Sequence, residues 1–205
     1  MKGSALIIFV RNPELGKVKT RLAKTIGDEN ALLVYKELLS HTFGITKDLI
    51  CDKYILYQDA INTNDIWENK IFEKRVQKGA DLGERMHNAF SDLFKKGYES
   101  IVIIGSDCYV LDKQIIVDSF QLLNSHDVVI GPALDGGYYL LGLKKNLPEI
   151  FNEMPWSSPL LMNETTKILN ELSYTIGFLP SLNDVDEKSD LNKKLVSKSG
   201  IMLLI

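Results

Sequence analysis

Two short segments of the sequence are apolar at every position, and they constrain the fold more than any other feature. Residues 5–10 are Ala-Leu-Ile-Ile-Phe-Val, and residues 101–104 are Ile-Val-Ile-Ile. A strand that is apolar on both faces has to be covered on both sides, whereas a strand with one face in water alternates apolar and polar residues. Segments with helical spacing separate these runs along the chain. The sequence therefore predicts a mostly parallel sheet with helices on both faces.

The predicted elements alternate along the chain, as expected for a single α/β domain over residues 1–205 with three layers, α/β/α. The glycine-rich break at residues 131–137 interrupts this alternation and predicts that the sheet becomes mixed late in the chain. Strands are predicted at residues 5–10, 53–57, 72–77, 100–105, 127–130, 138–143 and 174–179. Helices are predicted at residues 28–50, 82–96, 112–123, 159–172 and 187–196.

The composition argues against several classes of function. A net charge of −3 gives no broad basic surface for nucleic acid. Two cysteines are too few for a disulfide framework, and no apolar run approaches the ~20 residues of a membrane helix. We therefore expect a cytoplasmic protein that binds neither nucleic acid nor a membrane. The apolar segment 201–205 predicts a last strand or packed tail, whose exposure would indicate a homodimer contact.

A cluster of cations directly follows the first apolar strand, and we call residues 11–21 the basic loop. Like charges are costly to hold together unless an anion neutralises them, and open α/β sheets bind ligands beyond the carboxyl ends of their strands. Arginine binds phosphate through paired hydrogen bonds, and lysine supplies a point charge. The loop predicts a polyphosphate site; the alternative is a solvated turn leading into a helix. Its cations are Arg11, Lys17, Lys19 and Arg21, and its turn contains Gly16.

A carboxylate follows the most apolar strand, within the segment Gly105–Cys108. Asp107 is expected beside bound phosphates, where Mg²⁺ takes one or two protein carboxylates and completes its shell with phosphate oxygens and water. The alternative is a cap for the next helix, but Asp112 lies closer to that helix. A second ligand is predicted in the extended segment 184–186, where Asp186 is favoured over Asp184.

Two glycine-punctuated turns are further candidates. In residues 77–86, backbone groups are expected to contact a nucleobase edge; the alternative is a plain turn into a helix capped by Asp81. In residues 131–139, a ligand contact by the aspartate and an Asx-type turn remain open alternatives. Two tyrosines follow on opposite faces of the outgoing strand, so that one is able to stack on a substrate ring. The nucleotide-binding candidates are Gln77, Gly79, Gly83 and Arg85, and the acceptor-binding candidates are Asp135, Gly136, Gly137 and Tyr138.

Together these segments resemble the nucleotide-diphospho-sugar transferases of GT-A type, and among them a family of small bacterial glycosyltransferase-like proteins (DUF2064 type). They are also similar to the phospholactate and, more distantly, the molybdenum cofactor guanylyltransferases. The resemblance implies a Rossmann-like GT-A fold, phosphate binding by Lys19 and Arg21, and metal binding by Asp107 and Asp186. This chain departs from the family at Tyr109, where a proline usually stiffens the turn. The segments that carry the resemblance are residues 16–22, 79–86, 105–108, 131–139 and 184–186.

The sequence predicts a transferase that depends on Mg²⁺ or Mn²⁺ and acts on an activated nucleotide. Nucleotidyl transfer from an NTP to a small phosphorylated or sugar acceptor is favoured, because a triphosphate needs more cations than a sugar diphosphate. Glycosyl transfer from a nucleotide-sugar is the alternative, and a non-catalytic nucleotide-binding module is the third possibility. The catalytic candidates are Lys19, Arg21 and Asp107.

Overall fold

The computed structural model describes residues 3–201, and a seven-stranded sheet runs through this part of the chain. Its strands are β1 (Ser4–Val10), β2 (Asp52–Tyr57), β3 (Glu73–Val76), β4 (Ser100–Ile104), β5 (Val128–Pro132), β6 (Tyr138–Leu143) and β7 (Ile176–Phe178). The helices are α1 (Thr20–Ile26), α2 (Asp28–Thr46), α3 (Leu82–Lys95), α4 (Lys113–Leu122), α5 (Leu161–Glu171) and α6 (Lys193–Ser199). Two short 3-10 turns cover Pro148–Ile150 and Lys188–Asp190.

The sheet is mixed, in the strand order β3-β2-β1-β4-β6-β5-β7. Strands β1 to β4 form a parallel half, in which β1 pairs with both β2 and β4. Strand β6 runs antiparallel to β4 and β5, whereas β5 and β7 pair in parallel. The predicted late change to a mixed sheet is confirmed. Because β6 is reversed, its first residues lie at the same edge of the sheet as the last residues of β1 and β4.

Helices cover both faces of the sheet, as the continuous apolar runs require. Leu6 and Ile8 pack into a cluster with residues of α1, α2, α4 and α6. Ile7 packs on the opposite face, with residues of α3 and α5. Each fully buried aliphatic side chain of this kind contributes about 1.5–3 kcal/mol. The predicted three-layer α/β/α fold is confirmed.

The predicted helix over residues 187–196 is wrong, because two separate capping arrangements divide it. The Asp190 carboxylate accepts hydrogen bonds from the backbone N–H groups of Asp186 (2.9 Å) and Glu187 (2.7 Å) and thereby closes the 3-10 turn. The Asn192 side chain then accepts from the N–H of Leu195 at 2.8 Å and starts α6. Residues 20–26, which were not among the predicted helices, form α1.

The remaining predictions on organisation have different outcomes. Within residues 3–201, no helix is both long and apolar enough to cross a membrane. Ile201 is buried, but residues 202–205 of the predicted last strand or tail lie outside the described residues. That the chain forms one domain stays a prediction.

Candidate active site

A cavity of about 810 Å³ opens at the edge of the sheet where β1 and β4 end and β6 begins. It is lined by the ends of these strands, the second half of the basic loop, the first turn of α3 and the segment before α5. Most of the predicted site residues therefore come together in one place. Those that line the cavity are Arg11, Lys19, Arg21, Gln77, Arg85, Asp107, Asp135, Gly137, Tyr138 and Asp186.

Lys19 is the central ion-pairing group of the cavity. Its Nζ atom lies 3.0 Å from Asp107 Oδ1 and 3.1 Å from Asp186 Oδ1, and its side chain is only 5% exposed. Burial opposes its charge, but the two carboxylates outweigh burial and raise its pKa. The lysine therefore stays protonated and holds the two predicted metal ligands close together. Its ammonium group faces carboxylates rather than open solvent.

The backbone of Lys19 is itself strained. Its φ of 48° and ψ of 45° place it in the left-handed region, directly before the first residue of α1. This conformation costs a non-glycine residue on the order of 1 kcal/mol or more, and it persists only where the surrounding structure enforces it. The turn aims the side chain inward, toward the ends of β1 and β4.

The other cations of the basic loop differ in their availability. Arg21 is 68% exposed, and its Nη1 atom lies 3.5 Å from Asp186 Oδ2. Arg11 is also exposed and lines the cavity. Lys17 pairs with Glu14 at 2.6 Å on the protein surface, and it does not line the cavity. The arginines are therefore the cations that an incoming anion reaches first.

Tyr35 fixes the basic loop, and its role was not predicted. Its hydroxyl accepts a hydrogen bond from the N–H of Arg11 at 2.8 Å and lies 3.2 Å from the Arg11 carbonyl oxygen and 3.4 Å from Ser106 Oγ. Burial raises the pKa of Tyr35 to about 12. In the sequence, Tyr35 is one of several apolar positions at helical spacing, which gives no sign that its hydroxyl joins two loops of the site.

Asp184 is the most perturbed acid of the cavity. Burial, reinforced by the nearby charge of Asp107, raises its pKa to about 7. The backbone N–H of Val185 donates to the Asp107 carbonyl oxygen at 3.0 Å and ties the two acidic segments together. Cys108, which follows Asp107, is buried, and burial raises the pKa of its thiol to about 12, so that it stays protonated and is a poor nucleophile.

Tyr109 stands where the family usually has a proline, two residues after Asp107. Its side chain is buried against α2, where its ring centroid lies 4.7 Å from that of His41. An aromatic anchor in the core thus holds the segment that a proline would have stiffened. Asp107 still pairs with Lys19.

Several of the predicted glycines do not line the cavity but pack closely against neighbouring residues, some of which line it. A Cβ atom at Gly83 would lie 2.5 Å from Trp156 Nε1, so the indole packs directly on this glycine. A Cβ at Gly136 would lie 2.4 Å from the carbonyl oxygen of Pro159, and Gly136 has a φ of 90°. Gly79 has a φ of 143°, and a Cβ atom there would lie 2.7 Å from the backbone nitrogen of Arg85. The predicted residues outside the cavity lining are Gly16, Lys17, Gly79, Gly83 and Gly136.

The structure also supports the alternative interpretations of the two glycine-punctuated turns, a helix cap in residues 77–86 and an Asx-type turn in residues 131–139. The Asp81 side chain accepts from the N–H of Glu84 at 2.8 Å and caps α3. Asp135 Oδ1 accepts from the N–H of Gly137 at 2.9 Å in an Asx-type turn, while the residue also lines the cavity. The two tyrosines after this turn enter opposite faces of the sheet, as predicted. The Tyr138 ring lines the cavity, and its buried hydroxyl finds no hydrogen-bond partner within residues 3–201.

One segment of the cavity wall was missed altogether. Residues 156–159, Trp-Ser-Ser-Pro, line the cavity just before α5. No role was predicted for residues 156–158, and residue 159 was predicted only as the start of a helix. A tryptophan between two prolines ahead of a helix is the signal that was available.

The carboxylates of the site do not form a metal centre by themselves. Among residues 3–201, no three Asp, Glu, His or Cys side chains are grouped so that they could hold a metal ion. Asp107 and Asp186 nevertheless converge on one cation, the Lys19 ammonium. This donor set fits an ion such as Mg²⁺ only if substrate oxygens and water supply the other ligands.

The fold and this cavity define a transferase of the nucleotide-diphospho-sugar transferase class. The structure is similar to that of a candidate nucleotide-diphospho-sugar transferase from Desulfovibrio desulfuricans G20, with a TM-score of 0.85 and 29% identity, over 98% of this chain and 94% of that one. Within this class, the chain belongs to the DUF2064 family of uncharacterized proteins conserved in bacteria, whose sequence profile matches residues 42–158.

Two further similarities are more distant. The chain is 27% identical over 150 residues to 2-phospho-L-lactate guanylyltransferase of Methanocaldococcus vulcanius. That match covers 71% of this chain but 64% of the relative, less than two thirds of its length. At the level of fold alone, the chain is similar to CMP:2-keto-3-deoxy-manno-octonic acid synthetase, with a TM-score of 0.57 and 8% identity over 96% of this chain and 98% of that one.

Proposed function

We propose that this protein transfers a nucleotidyl group from an NTP to a small phosphorylated or sugar acceptor. The observation that carries the proposal is the meeting of the basic loop and two carboxylates around Lys19, at the carboxyl ends of β1 and β4. In this reaction an acceptor oxygen bonds to the α-phosphorus, the bond from that phosphorus to the bridging oxygen breaks, and pyrophosphate leaves. The similarity to a guanylyltransferase over 71% of the chain points the same way.

Each part of the site has a separate task in this proposal. Arg21 and Arg11, which are exposed at the cavity, bind the β- and γ-phosphates and neutralise the departing pyrophosphate. Lys19 orients Asp107 and Asp186 and supplies a fixed positive charge beside the reacting phosphate. The Tyr35 hydroxyl holds the backbone of Arg11, so that the loop is ordered before substrate arrives.

A divalent cation is part of the proposal. Asp107 and Asp186 are the residues that would hold Mg²⁺ or Mn²⁺, which when bound stabilises negative charge on the phosphate oxygens. The pKa of Asp184 is raised first by burial and then by the nearby charge of Asp107, and a bound cation would offset the second of these effects. A cytoplasmic location, a small-molecule acceptor and a possible homodimer stay predictions.

Glycosyl transfer from a nucleotide-sugar is the second candidate. It is favoured by the similarity to the candidate sugar transferase over 94% of that chain. A cavity of about 810 Å³ also has room for a sugar beside a nucleotide. A nucleotide-binding module without catalysis is the third possibility, and Tyr109 in place of the family's usual proline is the argument for it. Asp107 pairs with Lys19 in spite of this substitution, which weakens that argument.

The products separate these candidates. The protein is incubated with each NTP, Mg²⁺ or Mn²⁺ and a panel of phosphorylated and sugar acceptors, and pyrophosphate is measured. In parallel, free nucleoside diphosphate is measured with nucleotide-sugars. We expect acceptor-dependent pyrophosphate release that falls at least 100-fold in Asp107→Asn. The matched control is Asp112→Asn, because Asp112 caps α4 outside the cavity and asparagine also caps helices. Release of nucleoside diphosphate alone would establish the second candidate instead.

A further inference from the structure

The proposed phosphate and metal roles leave one wall of the cavity without a task. This wall is formed by Trp156, Ser157 and Ser158 of the segment before α5, together with Leu82 in the first turn of α3. Resting on the proposed function, we infer that the Trp156 indole is the platform on which the nucleobase of the donor stacks. A flat aromatic surface binds any base through its π-face and is independent of the phosphate contacts.

The position of the indole carries the first part of the inference. Trp156 Nε1 and Cε2 come within 2.5 and 2.7 Å of where a Cβ atom of Gly83 would be. Any larger residue at position 83 would therefore push the ring away from α3. The glycine brings the indole against the first turn of α3, and Gln77 and Asp81 of the preceding turn line the same cavity.

A polar side chain that is able to bind the edge of a base lines the same cavity. The Gln77 side chain lines the cavity, and its Nε2 donates to the Leu56 carbonyl oxygen at 2.9 Å. This bond fixes the plane of the carboxamide and leaves its oxygen as an acceptor for a base amino or imino group. An indole that stacks on the ring and a fixed amide that binds the edge of the ring together suit a heterocyclic base. A ligand without an aromatic ring would not stack on the indole.

Backbone hydrogen bonds constrain the segment that carries Trp156. Ser157 has a φ of 59°, an unfavourable value for a non-glycine residue that the surrounding contacts must enforce. The backbone N–H of Trp156 donates a hydrogen bond to the carbonyl oxygen of Met154 at 2.8 Å. The backbone N–H of Met162 donates to the carbonyl oxygen of Gly136 at 3.0 Å. A platform that is fixed before the ligand arrives loses little conformational entropy on binding.

The chain contains a natural internal control for a fluorescence test. It has two tryptophans, and the second, Trp67, is buried in the core with its ring 5.2 Å from that of Phe72, outside the cavity lining. Emission excited at 295 nm, where nucleotides absorb only weakly, is recorded for wild-type protein, Trp67→Phe and Trp156→Phe and corrected for the absorption of the ligand. The ligands are GTP, CTP, ATP and UTP, each with Mg²⁺, and tripolyphosphate, which has no base.

We expect at least one NTP to quench the emission of wild type and Trp67→Phe, and to leave Trp156→Phe unchanged. Tripolyphosphate should quench none of them. Binding measured by calorimetry should weaken about 10- to 100-fold for the NTP in Trp156→Ala, with tripolyphosphate affinity unchanged. Thermal unfolding of each variant without ligand checks that it is folded; if Trp156→Ala is not, the comparison of Trp67→Phe with Trp156→Phe decides.

The two levels of the proposal fail in different ways. If an NTP binds with wild-type affinity to Trp156→Ala, or quenches Trp67 but not Trp156, the platform is refuted while the proposed function stands. If Trp156 responds to acceptor molecules and not to NTPs, the wall binds the acceptor and the platform is again refuted. If no NTP or nucleotide-sugar binds at all, the proposed function fails and the platform fails with it.

Discussion

Replacing Asp184 with asparagine is expected to stabilise the protein, although the residue lies in the candidate active site. Folding raises the pKa of this carboxyl from an ordinary value of 3.8 to about 7. Each unit of difference corresponds to about 1.4 kcal/mol, so a fully buried group would cost about 4 kcal/mol at pH 8. Because Asp184 is partly exposed, solvent screening reduces this figure, and we expect Asp184→Asn to gain about 2 kcal/mol at pH 8.

The pH dependence follows from the direction of the shift. The folded protein binds this proton more tightly than the unfolded chain, so the penalty is absent below pH 3.8 and grows until the pH passes the folded pKa of about 7. The gain in the free energy of unfolding from Asp184→Asn should therefore fall at pH 5 to less than half of its value at pH 8. Asparagine keeps the shape of the side chain, so that packing changes little.

Urea unfolding at pH 8 and pH 5, without divalent cations, measures the effect. For a chain of this length, about 2 kcal/mol also corresponds to a rise in Tm of roughly 4–8 °C. Asp48→Asn, in the exposed turn after α2, is the matched control and should change stability by less than about 0.5 kcal/mol. A loss of stability in Asp184→Asn at pH 8, or an equal gain at both pH values, would refute the assignment of an uncompensated acid.

Three further substitutions test other parts of the site. Lys19→Met should lower the free energy of unfolding by about 2 kcal/mol, because two carboxylates lose their shared cation; urea unfolding should show almost no loss for the exposed Lys24→Met. Gly83→Ala should displace the Trp156 indole and cost about 1–3 kcal/mol, and a shift in tryptophan emission without ligand would report it. Arg21→Ala should weaken tripolyphosphate binding about tenfold or more in calorimetry at low salt, and unchanged binding would remove this arginine from the phosphate site.

The sheet was predictable because its signal is local. A run such as residues 101–104 is apolar on both faces, and this requires cover on both sides wherever the strand lies. The division of residues 187–196 was not predictable, since the Asp190 carboxylate closes the 3-10 turn through hydrogen bonds to Asp186 and Glu187. These hydrogen bonds determine where the 3-10 turn ends, and the spacing of apolar residues carries no information about them.

The candidate site was predictable where a residue directly follows a strand. The rule for strand ends brought Lys19 and Asp107 into one neighbourhood, whereas Asp186 was predicted from its extended segment and from the family resemblance. The structure has all three in one ion-pair cluster. Lys19 was also predicted to bind phosphate. In the structure its ammonium pairs with both carboxylates, and phosphate binding by Lys19 stays a prediction. Trp156 and Tyr35 were not found, because their tasks depend on contacts with residues far away in the sequence.

The reversal of strand β6 divides the cavity into two parts that are able to change independently. The residues proposed to bind phosphate come from the parallel half of the sheet, where a shift in register would move hydrogen-bonded neighbours on both sides of β1. The turn at residues 133–137 belongs instead to the β5–β6 hairpin. Substitutions or insertions in this turn therefore leave the paired strands β1 to β4 in place. Related proteins with the same sheet could thus keep one phosphate-binding edge and differ in the molecule that they modify, through changes of a few residues in a single hairpin.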